Sequence, residues 1–197
     1  LKLAILGVAA CGVFALTGCG GDKEAASSAA SSAAGQGALL QKIKKDGKLV
    51  VGTAPGFPPY EFLDTSVKDK KSITGIDIKI AEAVAKKLGV QLEGQAMTLQ
   101  SLLASITTGK IDIAISAITP TAEREKTVDF SDSYLVGKHT LLVRKEDAGK
   151  YKTLADFNGK KIAVQKSSLQ EKLTNEQIKD AQVVSLTKVP DALLELQ

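Results

Sequence analysis

The sequence predicts an α/β protein with two lobes, each built around a mostly parallel β-sheet. From about Leu39 onward, strand-like and helix-like segments alternate in the order β-α-β-α-β, and the alternation restarts near "SDSYLVGKHT". The third strand-like run, "IDIAISAI", is almost wholly apolar, which is typical of a strand buried on both faces of a parallel sheet. Repeated units of this kind form parallel sheets with right-handed crossovers. We therefore expect lobe 1 over residues 39–136 and an incomplete lobe 2 over residues 137–197.

The first 18 residues have the features of a secretory signal peptide. Lys2 precedes an apolar run that stops at small residues and Cys19, and the run is too short to span a bilayer comfortably. The ending "LTGC" is similar to the bacterial lipobox, which implies that the signal is removed and that Cys19 carries a lipid anchor. The alternatives are an ordinary signal peptide with an incidental cysteine and a retained transmembrane helix.

Residues 19–38 are rich in Gly, Ala and Ser and contain no large apolar side chain that a core could bury. Such a composition predicts a flexible tether between the membrane and the folded part.

Composition narrows the possible function classes. The 197 residues include 26 Lys and Arg against 22 Asp and Glu, with the signs interspersed, so nothing favours nucleic-acid binding. The cysteines are Cys11, inside the signal, and Cys19, and the single histidine is His139. This argues against disulfide frameworks, metal clusters and Cys/His catalytic pairs, and we expect neither a cofactor nor a metal.

Lobe 1 begins with the strand "KLVVGT", which the helix "GIDIKIAEAVAKKLGV" follows. An apolar residue recurs once per turn of this helix, and Gly89 is placed as its stop; the recurring residues are Ile76, Ile80, Val84 and Leu88. Next come the strand "QLEGQA", the helix "LQSLLASITTGK" ended by Gly109, and the strand "IDIAISAI".

Lobe 2 repeats the pattern in a shorter form. Its predicted elements are the strand "HTLLVR", the short helix and turn "TLADFNGK", the strand "KIAVQ", the helix "SLQEKLTNEQI", the strand "AQVVSLT" and the helix "VPDALLELQ".

The loops that follow strands are the places to search for a site, because ligands of open parallel sheets bind beyond the carboxyl ends of the strands. The loop "APGFPPYEF" presents Phe57 and Tyr60 on a backbone stiffened by three prolines. Phe57 could stack on a ligand or cap the edge of the core, whereas we expect Phe62 to cap the core.

The loop "SAITPTAERE" is predicted to start a helix that carries Arg124 in its first turn. A cation there opposes the helix dipole and needs an anionic partner. That partner is either a local carboxylate, from Glu123 or Glu125, or the carboxylate of a ligand held by the planar guanidinium.

The third loop places Ser167 and Ser168 where a strand meets a helix. Their hydroxyls can cap the helix, and the free N–H groups of a helix start can also bind a carboxylate.

Four stretches carry a resemblance to a known family: "GTAPGFPPYEF", "TGIDIKIAEAVAKKLGV", "LLASITTGKIDIAISAITPTAEREKTVDFSDSY" and "LADFNGKKIAVQKSS". They resemble the family 3 extracellular solute-binding proteins, the polar amino-acid receptors of ABC importers, from about Lys44 to the end of the chain. The resemblance implies a fold of the periplasmic-binding-protein type II, in which two hinged lobes close on an amino acid. It also implies a monomer outside the cytoplasm that serves a membrane permease.

The resemblance assigns ligand contacts by position. Phe57 looks like the ring that stacks on the ligand side chain, and Arg124 like the clamp on its α-carboxylate. Backbone and hydroxyl contacts are implied for the loop after the third strand, and a carboxylate contact for lobe 2; the residues concerned are Ser116, Ala117, Thr119 and Ser168.

This chain departs from the family pattern at two positions. Ala54 stands where members that bind cationic amino acids often carry Asp, which weakens a lysine or arginine assignment. Leu99 stands where many members have a second aromatic wall. The family's Asp for the α-ammonium group is expected in a later strand than any in this sequence.

Two other function classes remain. An enzyme on the same fold, like the dehydratase relatives of this family, would need a general acid or base in the cleft. His139, predicted on a strand near the hinge, suits a structural role better, but a carboxylate acid stays possible. A ligand-sensing module of a signalling receptor is the third class, against which the lipobox argues.

Overall fold

The computed structural model describes residues 37–66 and 72–197. The signal peptide, Cys19 and the tether up to residue 36 lie outside the described residues. Residues 39–197 form one compact unit. Across the two described ranges, no helix combines the length and the apolar character that a membrane span requires.

The first sheet has three parallel strands in the order β4-β1-β5, with β1 (Lys48–Thr53) in the centre. β4 (Gln91–Ala96) pairs along the whole of β1, from Lys48 opposite Gln91 to Thr53 opposite Ala96. β5 (Ile113–Ala114) pairs at two positions on the other side. A short antiparallel hairpin of β2 (Phe62–Leu63) and β3 (Ile73–Thr74) lies between β1 and the next helix.

Helices cover the first sheet and create two apolar clusters. Helix α1 comprises residues 37–46, followed by α2 (Ile76–Leu88) and α3 (Leu99–Thr107). One cluster joins α1 and α2 to β1; its buried members are Ile43, Leu49, Val51, Ala81 and Ala85. The other joins α3 to β1; its buried members are Val50, Ala54, Leu99, Leu102 and Ile111.

The buried face of α2 differs from the face that the apolar spacing predicted. Ile76 is 41% exposed and Val84 36%, whereas Ala81 and Ala85 are 1% and 3% exposed. Alanine has no side chain beyond Cβ, so it lets the helix lie close to β1, which the longer isoleucine and valine side chains would prevent. The predicted end at Gly89 is confirmed, since Gly89 has a φ of 71° and caps the helix.

The second sheet contains β6 (Lys161–Gln165) and β7 (Gln182–Leu186), which pair in parallel. Helices α4 (Leu169–Gln177) and α5 (Val189–Leu194) follow these strands, as the alternation predicted. The second sheet has its own buried apolar cluster, which consists of Ile162, Val164 and Ile178. Three short 3-10 helices lie between the sheets in the sequence: Arg124–Lys126, Lys145–Asp147 and Leu154–Phe157.

Three predicted elements differ from the structure. "HTLLVR" is irregular instead of a strand, because residues 139–144 have no ladder partner among the described residues; Leu142 is 65% exposed. The predicted strand at residues 111–118 shrinks to β5, since Ala117 has a φ of 47° and turns the chain away. The helix expected after Pro120 is the single 3-10 turn at Arg124–Lys126. The boundary between lobes at residues 136 and 137 stays a prediction.

Candidate ligand-binding site

A cavity of about 730 Å³ lies at the carboxyl ends of β1, β5 and β6, where their loops meet. Loops that follow strands of the first sheet line one side, and β6 with the segments around it lines the other. The structure brings all six predicted contact residues to its wall: Phe57, Ser116, Ala117, Thr119, Arg124 and Ser168. Leu99 also lines it and presents an aliphatic surface in place of an aromatic one. A volume of this size is ordinary for a small-molecule site.

The loop that carries Phe57 is closed by its own backbone. The N–H groups of Gly56 and Phe57 both donate to the Glu61 carbonyl, at 2.9 Å each, and the Glu61 N–H donates to the Phe57 carbonyl at 3.2 Å. Tyr60 stacks on Phe57 with ring centroids 5.1 Å apart. The Phe57 ring is therefore supported from behind while it lines the cavity, as a stacking wall requires.

Arg124 reaches the turn that follows β6 of the second sheet. One terminal nitrogen donates to the Thr119 carbonyl at 2.8 Å, and the other donates to the Ser167 carbonyl at 3.0 Å. Burial lowers the pKa of the Arg124 guanidinium, while the charge of Glu123 acts in the opposite direction. A guanidinium has five N–H donors, so these two bonds leave others for a ligand.

Neither local acid forms an ion pair with Arg124 within the described ranges, although the charge of Glu123 acts on the guanidinium from a greater distance. Glu123 Oε2 lies 3.7 Å from Lys172 Nζ instead, and Glu125 makes no ion pair within the described ranges. The carbonyl partners of Arg124 carry partial charge only. Of the two partners that the sequence left open, a ligand carboxylate fits this arrangement better.

Ser168 begins helix α4 as its N-cap. Its hydroxyl accepts a hydrogen bond from the Glu171 N–H at 3.1 Å, and the residue is 8% exposed. Leu169 and Gln170, the first residues of α4, line the same cavity, and the first N–H groups of a helix lack intrahelical acceptors. The helix start therefore places positive partial charge at the wall that also holds Arg124.

The loop after β5 uses several of its polar groups internally. The Ser116 hydroxyl accepts from the Ala54 N–H at 3.0 Å and donates to Glu61 Oε1 at 2.7 Å. The Ala117 N–H donates to Asp77 Oδ2 at 2.7 Å. The exposed Thr119 hydroxyl has no partner among the described residues. The hydroxyl contact expected from this loop therefore fits Thr119 better than Ser116.

The sequence analysis missed a cluster of two buried carboxyl groups and a half-exposed tyrosine next to this loop. It consists of Glu61, which lines the cavity, Asp77 at the start of α2, and Tyr134, whose hydroxyl donates to Asp77 Oδ1 at 3.0 Å. Burial, followed by the hydrogen bond and charge of Asp77, raises the pKa of Glu61 to about 9, although the Ser116 hydrogen bond opposes this. Asp77 alternates with isoleucines in "GIDIKI", and this polar residue in an apolar run was the available signal.

His139 also lines the cavity, where its Nδ1 lies 3.2 Å from the Gln170 side-chain nitrogen. Within residues 37–66 and 72–197, no three His, Cys, Asp or Glu side chains are grouped closely enough to hold a metal ion.

Comparison with known proteins identifies the family. The model of the bacterial extracellular solute-binding proteins, family 3, matches residues 49–194. This chain belongs to that family. The family match and the two-sheet α/β architecture confirm the predicted fold class, the periplasmic-binding-protein type II, and family 3 proteins are extracellular binding proteins.

Individual family 3 relatives bind amino acids. The arginine-binding extracellular protein ArtP of Bacillus subtilis (strain 168) is 39% identical over 170 residues, which are 86% of this chain and 58% of the relative. A probable histidine-binding protein of Campylobacter jejuni is 37% identical over 149 residues, 76% of this chain and 56% of the relative. This chain thus spans less than two thirds of these relatives' length.

The solved structure of another amino-acid-binding protein is also similar to this chain. An amino acid ABC transporter substrate-binding protein from Streptococcus pneumoniae, bound to L-arginine, has a TM-score of 0.77 and 42% sequence identity. The match covers 81% of this chain and 66% of the pneumococcal one.

Proposed function

We propose that this protein is an extracytoplasmic receptor that captures a polar amino acid between its two lobes and delivers it to an ABC permease. The observation that carries the proposal is the cavity wall. It places an aromatic ring, a guanidinium without a carboxylate partner in the described chain, and a helix start around one volume. Together these groups match the α-carboxylate and the side chain of an amino acid.

The α-carboxylate is assigned to Arg124 and the start of α4. The guanidinium fork matches a carboxylate bidentately, and the N–H groups at the helix start add hydrogen bonds. Phe57 stacks on the ligand side chain, and the Thr119 hydroxyl adds a polar contact. Arg124 follows β5 in the first sheet, and Ser168 is the N-cap of α4 after β6 in the second. A ligand that binds both residues therefore contacts both sides of the cavity.

Such a ligand favours the closed form of the protein. A ligand shifts an open and closed equilibrium only through contacts that it makes in one form and lacks in the other. Contacts from both lobes exist only when the lobes are together, so binding and closure are coupled. The closed form is what the permease would recognise. The protein acts as a monomer and needs no cofactor for this.

The direct test is a thermal-shift panel of the natural amino acids on the mature protein at its full natural length. A ligand that binds only the folded state raises the melting temperature. We expect one or a few polar amino acids to do so, and L-arginine is tested first because relatives bind it, although Ala54 weakens that assignment. A panel in which no amino acid shifts the melting temperature would overturn the proposal.

The membrane anchor is a separate proposal, supported by the lipobox-like "LTGC". Acylation of Cys19 would hold the receptor at the outer side of the cytoplasmic membrane or at the cell surface. We expect the wild-type protein in the membrane fraction and the Cys19→Ser variant in the soluble extracytoplasmic fraction. Equal fractionation of the two proteins would contradict the anchor and leave the receptor proposal untouched.

The alternative functions make different predictions. An enzyme would alter its ligand, whereas a receptor returns it unchanged, which one-dimensional NMR of the amino acid after long incubation distinguishes. The relatives named above are binding proteins, and this favours the receptor. A sensing module would lack the lipid on Cys19.

A further inference from the structure

The pair of buried carboxyl groups in Glu61 and Asp77 is not explained by ligand contacts. Glu61 is 1% exposed and Asp77 is 0% exposed. Placing two carboxylates side by side in a protein interior is unfavourable, because like charges repel and neither is hydrated. Well-packed apolar side chains of similar volume often give an interior that is equally or more stable. A specific task for the pair is therefore worth seeking.

The hydrogen bonds around the pair show where the charge lies. Asp77 accepts two, from the Tyr134 hydroxyl and the Ala117 N–H. Glu61 Oε1 accepts one, from Ser116, while Oε2 is buried without a donor among the described residues. Ionised, Glu61 would leave this oxygen unsatisfied beside a second carboxylate. Protonated, it can donate to Asp77 and satisfy both groups.

The surroundings favour the protonated form. Asp77 from α2 is the titratable group that acts on Glu61 in the described chain, and Ser116 is the polar neighbour of Glu61 after β5. Tyr134, from the segment after the first sheet, contacts Asp77 through its hydroxyl. Within residues 37–66 and 72–197, no Lys or Arg is among the groups that act on Glu61. A proton is thus the available means of neutralising one of the two carboxylates.

We propose that Glu61 is a positioning residue that acts un-ionised, sharing its proton with Asp77 and thereby holding Phe57, Ser116 and Ala117 in place around the cavity. The Glu61 backbone closes the Phe57 loop, its Oε1 holds the Ser116 hydroxyl, and Asp77 holds the Ala117 N–H. The shared proton joins these three points into one network. The inference depends on the proposed function in one respect only, which is that Phe57, Ser116 and Ala117 contact the ligand.

Two variants test the role in binding. Glutamine reproduces the neutral acid, because its carbonyl can accept from Ser116 and its NH₂ can donate to Asp77. Titrated with L-arginine, and with L-histidine if arginine does not bind, Glu61→Ala should lose at least about tenfold in affinity, since it leaves Ser116 and Asp77 without their partner. Glu61→Gln should rescue this loss to within about threefold of wild type.

The pH dependence tests the proton itself and needs no ligand. The ordinary pKa of a Glu is 4.5 and that of folded Glu61 is about 9, so between these values the folded state keeps a proton that the unfolded chain has lost. The contribution of Glu61 to the free energy of unfolding therefore falls as the pH rises between these two pKa values. Glu61→Gln has no such proton. Its melting temperature should match wild type near about pH 5 and exceed it by several degrees near about pH 8.5.

The outcomes separate the possibilities. The exposed Glu146→Gln is the matched control, and its difference from wild type should stay constant with pH. Two results would show that Glu61 is ionised and that the inference is wrong. One is a difference in melting temperature between Glu61→Gln and wild type that does not change with pH. The other is a loss of affinity in Glu61→Gln as large as that in Glu61→Ala. If wild type binds no amino acid, the proposed function fails, but the pH comparison still confirms or overturns the shared proton. If Glu61→Ala does not fold, Glu61→Gln still decides.

Discussion

Replacing Arg124 with alanine should abolish useful amino-acid affinity while leaving the protein folded. Removing one partner of a largely desolvated, hydrogen-bonded charge pair costs about 2 to 5 kcal/mol, because the other charge then stays buried and unpaired. The dissociation constant should therefore rise at least about 30-fold. Isothermal titration of the full-length mature protein with the amino acid that gives the largest thermal shift measures this directly.

Two further variants separate charge from geometry at this position. Arg124→Lys keeps the charge but loses the planar fork, and we expect it to recover only a small part of the affinity. Arg144→Ala removes the same charge from an exposed side chain that also lines the cavity, and it should change affinity by less than about threefold. An Arg144→Ala loss as large as that of Arg124→Ala would show that net charge, and not a carboxylate clamp, attracts the ligand.

Replacing Gly75 with alanine should be the most damaging small substitution in the described chain. Gly75 precedes α2 with a φ of 131°, and a Cβ there would lie 2.0 Å from the Tyr60 carbonyl oxygen and 2.9 Å from that of Pro59. These same carbonyls accept the N–H groups of Asp77 and Ile76 at 3.0 Å. Either the loop that contains Pro59 and Tyr60 or the start of α2 must therefore move. The first movement would displace Glu61, which follows Tyr60, and the second would displace Asp77, in the first turn of α2.

We expect Gly75→Ala to lose more than about 3 kcal/mol of unfolding free energy, from backbone strain and overpacking together. Its melting temperature should fall by about 10 °C or the protein should fail to accumulate. Gly89→Ala is a matched control for strain alone, because Gly89 has a φ of 71° and an added Cβ would have no described atom within 4 Å. We expect this variant to lose about 1 kcal/mol of unfolding free energy. Gly94→Ala, with open space and no positive φ, should be near neutral. Equal losses for Gly75→Ala and Gly89→Ala would rule out the carbonyl clash.

Much of the fold was predictable because it depends on local patterns. The period of apolar residues, the glycine stops and the alternation of strand and helix predicted β1, β4, β6, β7 and helices α2 to α5. Patterns that need a distant partner were less informative. "HTLLVR" has strand composition but forms no ladder in the described chain, and α2 turns its alanines to the sheet because close approach outweighs apolar size.

The ligand contacts were predicted from loop positions and from the family resemblance, and the structure places all of them around one cavity. Their roles in binding stay predictions. Arg124 shows why a local sequence could not choose its partner: Glu123 and Glu125 are adjacent in sequence, but its hydrogen bonds go to Thr119 and to Ser167, which lies 43 residues away.

The sequence by itself determined the α/β class, the family and the set of loops that carry the site, since these follow from periodicity and from motifs short enough to read along one chain. Only the tertiary structure revealed that Glu61, in the loop after β1, and Asp77, at the start of α2, share one buried space. The charge of a carboxyl group depends on the water and the neighbours that folding removes or supplies, and no linear pattern records those.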